Sequence, residues 1–494
     1  MLAIQKRLTN TFYAMLSLPA TAMGFALSVQ ISALSWLLGT KYGLEIEEVG
    51  LVWAAGPIAG ILGQVIIGII SDQVWFWGGR RRPFILIGGV LAALMLLALP
   101  NIDIISGAMG LDGILGVAII VALTLDLAIN VSFNPTRSII ADVTPEGDER
   151  TKGYTWMQTI SGTFGVLAYL IGALISNYVL IYFGAALVLL FSILPTLFIE
   201  EPRRLGQSDS QPGDMGPTAR PQPEDLQEKL EVEVAAKPSA PLREILMTIQ
   251  PLWGFLLYAV YGLTARLADI HPGHYYVELF CLLLTVVLMA QALLRKEAGK
   301  SKAEAGLIGF QKVLAAHSFT WIGVQTMFIY MYAYLQDRMP GTEDAKLGSM
   351  VAWSFFWLNL VGAILPVTVL EPITRRIGRV RTHAACIGIM ALGYFGMMMF
   401  GKTEVTIYAL MIVLGIGWAA VVSLPFAIMS QKVNQAKMGL YMGLFNLSVV
   451  LPQLVASLGV GQIIGQAEDK SIAFLVCAGT LAVSAVAWML VKEE

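Results

Sequence analysis

Apolar residues run along this chain in blocks longer than a soluble core needs. Blocks long enough to cross roughly 30 Å of hydrocarbon as helices occur near 11–37, 46–70, 83–100, 113–135, 155–176 and 178–199. A polar stretch rich in Pro, Glu, Gln and Ser then runs from Glu200 to Pro241, with Pro212, Pro217, Pro221, Pro223, Pro238 and Pro241 and almost no aromatic residue. Such a stretch has little to bury and reads as a solvated linker. Two further apolar blocks follow near 249–268 and 275–294, then a basic segment with Arg295, Lys296, Lys300 and Lys302. Six more blocks lie near 313–336, 349–370, 382–400, 405–429, 438–463 and 471–491. The order six, two, six predicts an all-α polytopic membrane protein of 14 spans. Residues 1–199 form one six-helix half, 200–241 a cytoplasmic linker, 242–300 an inserted transmembrane hairpin and 301–494 a second six-helix half.

Composition agrees with this reading: 56% of the 494 residues are hydrophobic, 13% are charged and the mean hydropathy is +0.70, outside the range of soluble globular domains. Lys6 and Arg7 precede an apolar segment too long for a signal-peptide core, so the first block is expected to persist as a span. A net charge of −2 gives no reason to expect nucleic acid as a partner. The basic residues follow topology instead. With the N-terminus in the cytoplasm, 26 of the 32 Lys and Arg fall on the cytoplasmic side, and only Lys41, Arg266, Arg338, Lys346, Lys402 and Lys470 fall outside. An inserted pair of spans preserves that parity, whereas a single inserted span would invert the second half. Cys281, Cys386 and Cys477 sit alone in apolar blocks and read as packing residues.

The chemistry concentrates in the fourth block, which reads TLDLAINVSFNPTRSIIAD from Thr124 to Asp142. Asp126 and Arg137 are eleven residues apart, which at 100° per residue places them about 20° apart on one helical face. Asn130 and Asn134 fall between them on much the same face. A carboxylate at bilayer depth costs a few kcal/mol, so Asp126 is a functional candidate. The plainer reading makes it a helix–helix fastener neutralised by Arg137 or bonded to Asn130, and makes Arg137 a positive-inside anchor. Uncharged polar groups inside other blocks, Gln30, Gln64, Gln158, Gln325, Asn359, Asn446 and Gln453, are suited to hydroxyl-rich solutes. Tyr154, Trp156, Tyr330, Trp353 and Trp357 offer ring platforms; each of these polar or aromatic residues also serves as helix–helix glue or an interfacial belt. Gly56, Gly60 and Gly63, and again Gly439 and Gly443, have the spacing of close helix packing. His271 and His274 are too few for a metal site. The sequence has no GxxxxGK[ST] loop for ATP and no Ser-His-Asp or HExxH arrangement for an enzyme.

The halves echo each other. GIISDQVWFWGGRRRPF after the second block corresponds to LEPITRRIGRVR in the second half, setting Asp72 and Arg80, Arg81 and Arg82 against Glu371, Arg375, Arg376 and Arg379. SFNPTRS corresponds to VSLPFAI, setting Pro135 against Pro425. Two related six-span halves with a substrate near the midplane resemble the major facilitator plan. The resemblance sharpens on LDLAINVSFNPTRSIIAD, which is similar to the fourth helix of plant and animal sucrose transporters through Leu125, Asp126, Ala128, Asn130, Pro135, Arg137, Ala141 and Asp142. Gly56, Pro57, Gly60, Gln64, Gly68, Ser71 and Asp72 resemble that family's second helix, and Gly79 to Ile85 the loop after it. Ser423, Pro425, Phe426, Ala427, Gly439, Gly443, Asn446, Pro452 and Gln453 resemble its late helices.

On these residues the chain is identified as a member of the glycoside, pentoside and hexuronide cation symporter group, on its sucrose-transporter side. The resemblance implies uptake of a disaccharide or glucoside with a proton, while the charge bias sets both termini in the cytoplasm and a monomer in the cell membrane is expected. It implies no cofactor beyond the proton gradient. It makes Asp126 the protonation site, Arg137 its essential partner, and the two charged loops a cytoplasmic gate. The sequence departs from the pattern at the inserted hairpin, at Gly165 where an asparagine is usual, and at Asp337 in YLQDRMP. A facilitator of another solute, an exporter, and a sensor that has kept a transporter body are the alternatives.

Overall fold

A computed structural model describes residues 3–61, 63, 74–110, 113–145, 148–201, 242–268, 274–433 and 438–493. The described residues are helical almost throughout. The first half contains α1 (Asn10–Thr40), α2 (Ile46–Trp53), α3 (Arg82–Ala98), α4 (Ile114–Val143), α5 (Asp148–Leu174) and α6 (Asn177–Phe198). Then come α7 (Trp253–Leu267) and α8 (Tyr276–Leu294). The second half contains α9 (Lys302–Arg338), α10 (Asp344–Leu365), α11 (Arg379–Phe400), α12 (Glu404–Lys432), α13 (Met438–Val455) and α14 (Ile472–Met489).

Local sequence explains where these helices start. The Thr9 hydroxyl accepts the Phe12 amide, the Ser176 hydroxyl accepts the Val179 amide, and Ser301 with Glu304 forms a reciprocal capping box. Pro19, Pro135, Pro195, Pro425 and Pro452 all lie inside helices, which transmembrane helices tolerate because neighbours re-satisfy the freed carbonyls. Two π-helical turns interrupt the second half: Pro366–Leu370 leads into the short helix Glu371–Ile377, and Ala456–Val460 leads into Gly461–Gln466.

Eleven helices among the described residues are long and apolar enough to cross a membrane, which makes the chain a multi-pass membrane protein. Three expected blocks are not among the eleven. The block near 46–70 is described only through residue 61 and at 63. The block near 249–268 is a 15-residue helix behind a short 3₁₀ turn, and the block near 313–336 is built into the 37-residue α9. The fourth block is longer than expected and carries Arg137 within the same helix as Asp126. Residues 202–241 of the linker, with Gln64, Asp72 and His271, lie outside the described residues.

The packing repeats. In the first half α1 packs on α5, α6 and α4, and α3 packs on α4 and α6; in the second, α9 packs on α13 and α14, and α11 packs on α12 and α14. The halves meet where α5 lies against α10 and where α2 lies against the Ala456–Gln466 stretch. One continuous apolar core runs through both halves. A smaller cluster, Phe12, Leu16, Ile85, Ile139, Ile140, Met157 and Ile199, fills the end of the first half near Arg81.

Candidate functional site

Helix α4 carries its polar side chains at two levels. At the upper level Asp126, 4% exposed, accepts a hydrogen bond at Oδ2 from Nε2 of Gln30, 3% exposed, at 2.9 Å. The bond joins α4 to α1. Gly56 stands over the pair; a Cβ there would lie 3.5 Å from the carboxylate. Asn130 is half-buried and donates from Nδ2 to the Asp126 carbonyl at 2.8 Å. A Cβ at Gly63 would meet the Asn130 Cβ at 2.9 Å, so only glycine lets the chain pass that close.

Arg137 occupies the second level. Eleven residues of helix are about 16 Å of axial rise, so the shared face holds and contact with Asp126 does not follow. The guanidinium instead lies 4.7 Å from the centroid of the Phe133 ring, and the Tyr154 hydroxyl donates to the Arg137 carbonyl at 3.2 Å. Asn134 lies one turn before Arg137 and is half-buried. Gln158 of α5 is exposed, as are Thr155, Thr159 and Thr163 in the same row. The Thr159 and Thr163 hydroxyls donate back to the Thr155 and Thr159 carbonyls at 2.9 and 2.8 Å, so this face of α5 presents a polar row near Arg137.

The second half supplies two more hydrogen-bonded groups. Gln453 of α13 donates to Oε1 of the buried Gln325 on α9 at 3.1 Å. Asn359 of α10 donates to the Phe355 carbonyl at 2.9 Å and accepts from the Trp418 indole at 3.2 Å. Asn446 is half-buried on α13. Ring contacts link Tyr169 of the first half to Phe355 at 6.0 Å, Phe355 to Phe328 at 5.6 Å, Phe328 to Trp418 at 5.5 Å and Trp418 to Trp321 at 6.3 Å. Tyr169, Trp321 and Trp418 were not among the ring platforms expected from the sequence. Of those that were, Tyr330 is fully buried at the opposite end, and Trp353 stacks on Trp357 at 6.2 Å.

That opposite end is closed. The Ser35 hydroxyl donates to the Ile329 carbonyl at 2.8 Å, the Trp36 indole to the Asp344 carbonyl at 2.7 Å, and the Ser349 hydroxyl to the Ala173 carbonyl at 2.6 Å, each bond crossing between halves. The Tyr330 hydroxyl donates to the carbonyl of Ala456, the first residue of the π turn, at 3.3 Å. A Cβ at Gly50 or at Gly461 would come within 2.6 Å of that hydroxyl oxygen.

The charged loops lie at the end away from Tyr330. The backbone amides of Arg80, Arg81 and Arg82 donate to the Glu201 carboxylate, with bonds of 2.8, 2.9 and 2.7 Å. The Arg81 side chain, 8% exposed, pairs with Asp142, 11% exposed, at 3.1 Å. Arg82 donates from Nε to the Thr196 carbonyl at 2.5 Å. In the second half the amides of Arg379 and Val380 donate to Glu493 at 2.5 and 3.0 Å. Arg375 pairs with Glu371 at 2.6 Å on an exposed helix, where Arg376 is exposed as well. Glu201 and Glu493 were missed from the sequence. The signal was present: each half ends its last span on a pair of acids, Glu200-Glu201 and Glu493-Glu494. Among the described residues no group of His, Cys, Asp or Glu is placed to hold a metal.

The chain is 34% identical over 176 residues to a general alpha-glucoside permease of Schizosaccharomyces pombe, a match covering 32% of each chain. It is 30% identical over 139 residues to a sucrose transport protein of Arabidopsis thaliana, covering 27% of each. These matches span about a third of the relatives' length or less. A sucrose transport protein of rice matches more broadly, at 24% identity over 90% of this chain and 84% of its own. The fold is similar to the solved peptide transporter PepTSo, with a TM-score of 0.64 at 14% identity over 98% of both chains. It is also similar to the nucleoside transporter NupG, with a TM-score of 0.63 at 14% identity over 97% of this chain and all of that one. Residues 16–457 match the Major Facilitator Superfamily, and the chain belongs to that family of transporters.

Proposed function

We propose that this protein is a secondary active transporter of the cell membrane that takes up a disaccharide or glucoside, sucrose or maltose among them, with a proton bound at Asp126. The observation that carries the reading is the Asp126–Gln30 pair, a carboxylate buried in the middle of a span with a neutral amide as its partner. An acid held this way gains or loses a proton without breaking a salt bridge, and Gln30 accommodates either form by turning its amide. Arg137, one level away beside the polar row of α5, is free to hydrogen-bond sugar hydroxyls. The likeness to a glucoside permease and to sucrose transport proteins supports a sugar as cargo. Gln158, Asn359, Asn446 and the Gln325–Gln453 pair supply further polar contacts, and the Tyr169 to Trp321 rings supply apolar faces.

In this reading both termini are cytoplasmic, the Arg81 end faces the cytoplasm, and the loop charges close it in the alternate state. The helices number fourteen spans, with α7 and α8 an inserted hairpin, and the protein works as a monomer without a cofactor. The driving force is the proton gradient, with about 2.3 kcal/mol per 100 mV for each charge moved.

The test uses purified protein in proteoliposomes. Addition of the transported disaccharide alkalinises the outside medium. Asp126→Asn abolishes that signal and uphill uptake while preserving exchange of labelled sugar across the membrane. Full accumulation driven by a pH gradient in Asp126→Asn sinks the reading. Gln30→Leu is expected to shift the pH profile of uptake more than its saturation by sugar.

A further inference from the structure

The pair α7–α8 does not sit flush against the second half. Between these two helices and the stretch from Val455 to Gln466 runs a crevice of about 430 Å³, in the size range of a site for one small ligand. Leu282 and Ile463 on its rim are 59% and 53% exposed, so its mouth lies on the lipid-facing surface. The crevice is graded along its length. Gly254, Phe255, Thr285 and Val455 line its inner end, while Tyr275, Glu278, Gln462 and Gln466 line the end where α8 begins. Val455 to Gln466 is about 16 Å of helix, roughly the depth of one leaflet.

Glu278 gives the polar end a charge to match. Its Oε1 accepts the Tyr261 hydroxyl at 2.9 Å, and its Oε2 is buried with no donor among the described residues. Arg266, on the same helix as Tyr261, is turned away to Glu47 at 3.5 Å. A carboxylate in the first turn of a membrane helix that keeps one buried oxygen unfilled by the described residues is suited to a cationic donor from the surroundings.

We propose that this crevice is a binding site for a single ethanolamine phospholipid of the surrounding bilayer, its primary ammonium donating to Glu278 and one acyl chain lying along Phe255 and Val455. A choline headgroup carries the charge without an N–H and a glycerol headgroup donates hydroxyls without the charge, so only the ethanolamine ammonium offers the carboxylate a charged donor. The lipid would fasten α7–α8 to the second half at the Ala456–Val460 turn. This site stands apart from the sugar path, whatever the cargo.

The experiment measures lipids retained by the purified full-length protein after delipidation and exposure to ethanolamine, choline and glycerol phospholipids of identical acyl chains. Ethanolamine lipid should be retained about tenfold over the others, the ratio expected for one charge-assisted hydrogen bond. The preference should fall stepwise with mono- and dimethylated headgroups in the unmodified protein, a measurement that needs no variant to fold. Glu278→Gln should bring the ratio to near one, Tyr261→Phe should leave it intact, and Val455→Trp should lower retention of every lipid. Equal retention of ethanolamine and choline lipids, a ratio insensitive to methylation, or a preference that survives Glu278→Gln overturns the proposal.

Discussion

In the first half, the amides that open α3 converge on Glu201; in the second, the amides that open α11 converge on Glu493. Both acids come from just beyond the last helix of their half, and in both halves a glycine makes room. A Cβ on Gly79 would meet Glu201 at 2.6 Å, and one on Gly378 would strike Glu493. The frame is thus repeated, but the side chains hung on it differ. Arg81 is buried against Asp142 of α4, whereas Glu371 and Arg375 pair within a single exposed turn. Matching charges in two related loops therefore do not carry matching loads. The first loop ties α3 to the helix that bears Asp126, and the second is free of any comparable tie among the described residues.

The largest expected effect follows from that difference. Arg81→Ala or Asp142→Ala strands a buried charge and should cost about 3–5 kcal/mol, with the double variant recovering part of the loss. Arg375→Ala should cost under about 0.5 kcal/mol. Unfolding in detergent measures both, and equal losses would erase the comparison. Next, Glu201→Gln removes the charge that three amides share and should cost about 1–3 kcal/mol, more than Glu493→Gln with its two amides. Third, Gly378→Ala forces a side chain into φ +92° and against Glu493, for about 1–2 kcal/mol. The smallest effect belongs to Asp469, in the loop before α14, where the Ser471 hydroxyl and amide hold the carboxyl below the usual aspartate range. A lowered folded value means its contribution is present above about pH 4 and lost as pH falls through the folded value. The group is 62% exposed, so Asp469→Asn should change stability by under about 0.5 kcal/mol and flatten only the acid limb of the profile.

Much of the fold was legible because hydrophobic length is the dominant signal in a membrane chain, and most helices begin within a few residues of their expected blocks. The breaks were harder to read. The π turns at Pro366–Leu370 and Ala456–Val460 leave composition unchanged, so periodicity passes over them. In the site, the shared face of Asp126 and Arg137 followed from helical geometry, but angle alone says nothing about the axial distance that keeps them apart. Gln30 was expected only as one polar residue among many; its pairing with Asp126 depends on how α1 crosses α4, which no local pattern encodes. Tyr169, Trp321 and Trp418 were overlooked for the same reason: Tyr169 reaches Phe355 only where the two halves meet, and Trp321 reaches Trp418 only where α9 meets α12.

Tyr330 sits at the closed end in a hole that α2 and the Ala456–Gln466 stretch leave for it: no side chain at Gly50, none at Gly461, and a carbonyl at Ala456 to accept its hydrogen bond. A plug of this kind tolerates withdrawal but not sideways slippage, because the aperture around the phenol is shaped to one ring in one place. Any opening at that end has to draw the phenol away from both glycines and from the Ala456 carbonyl together.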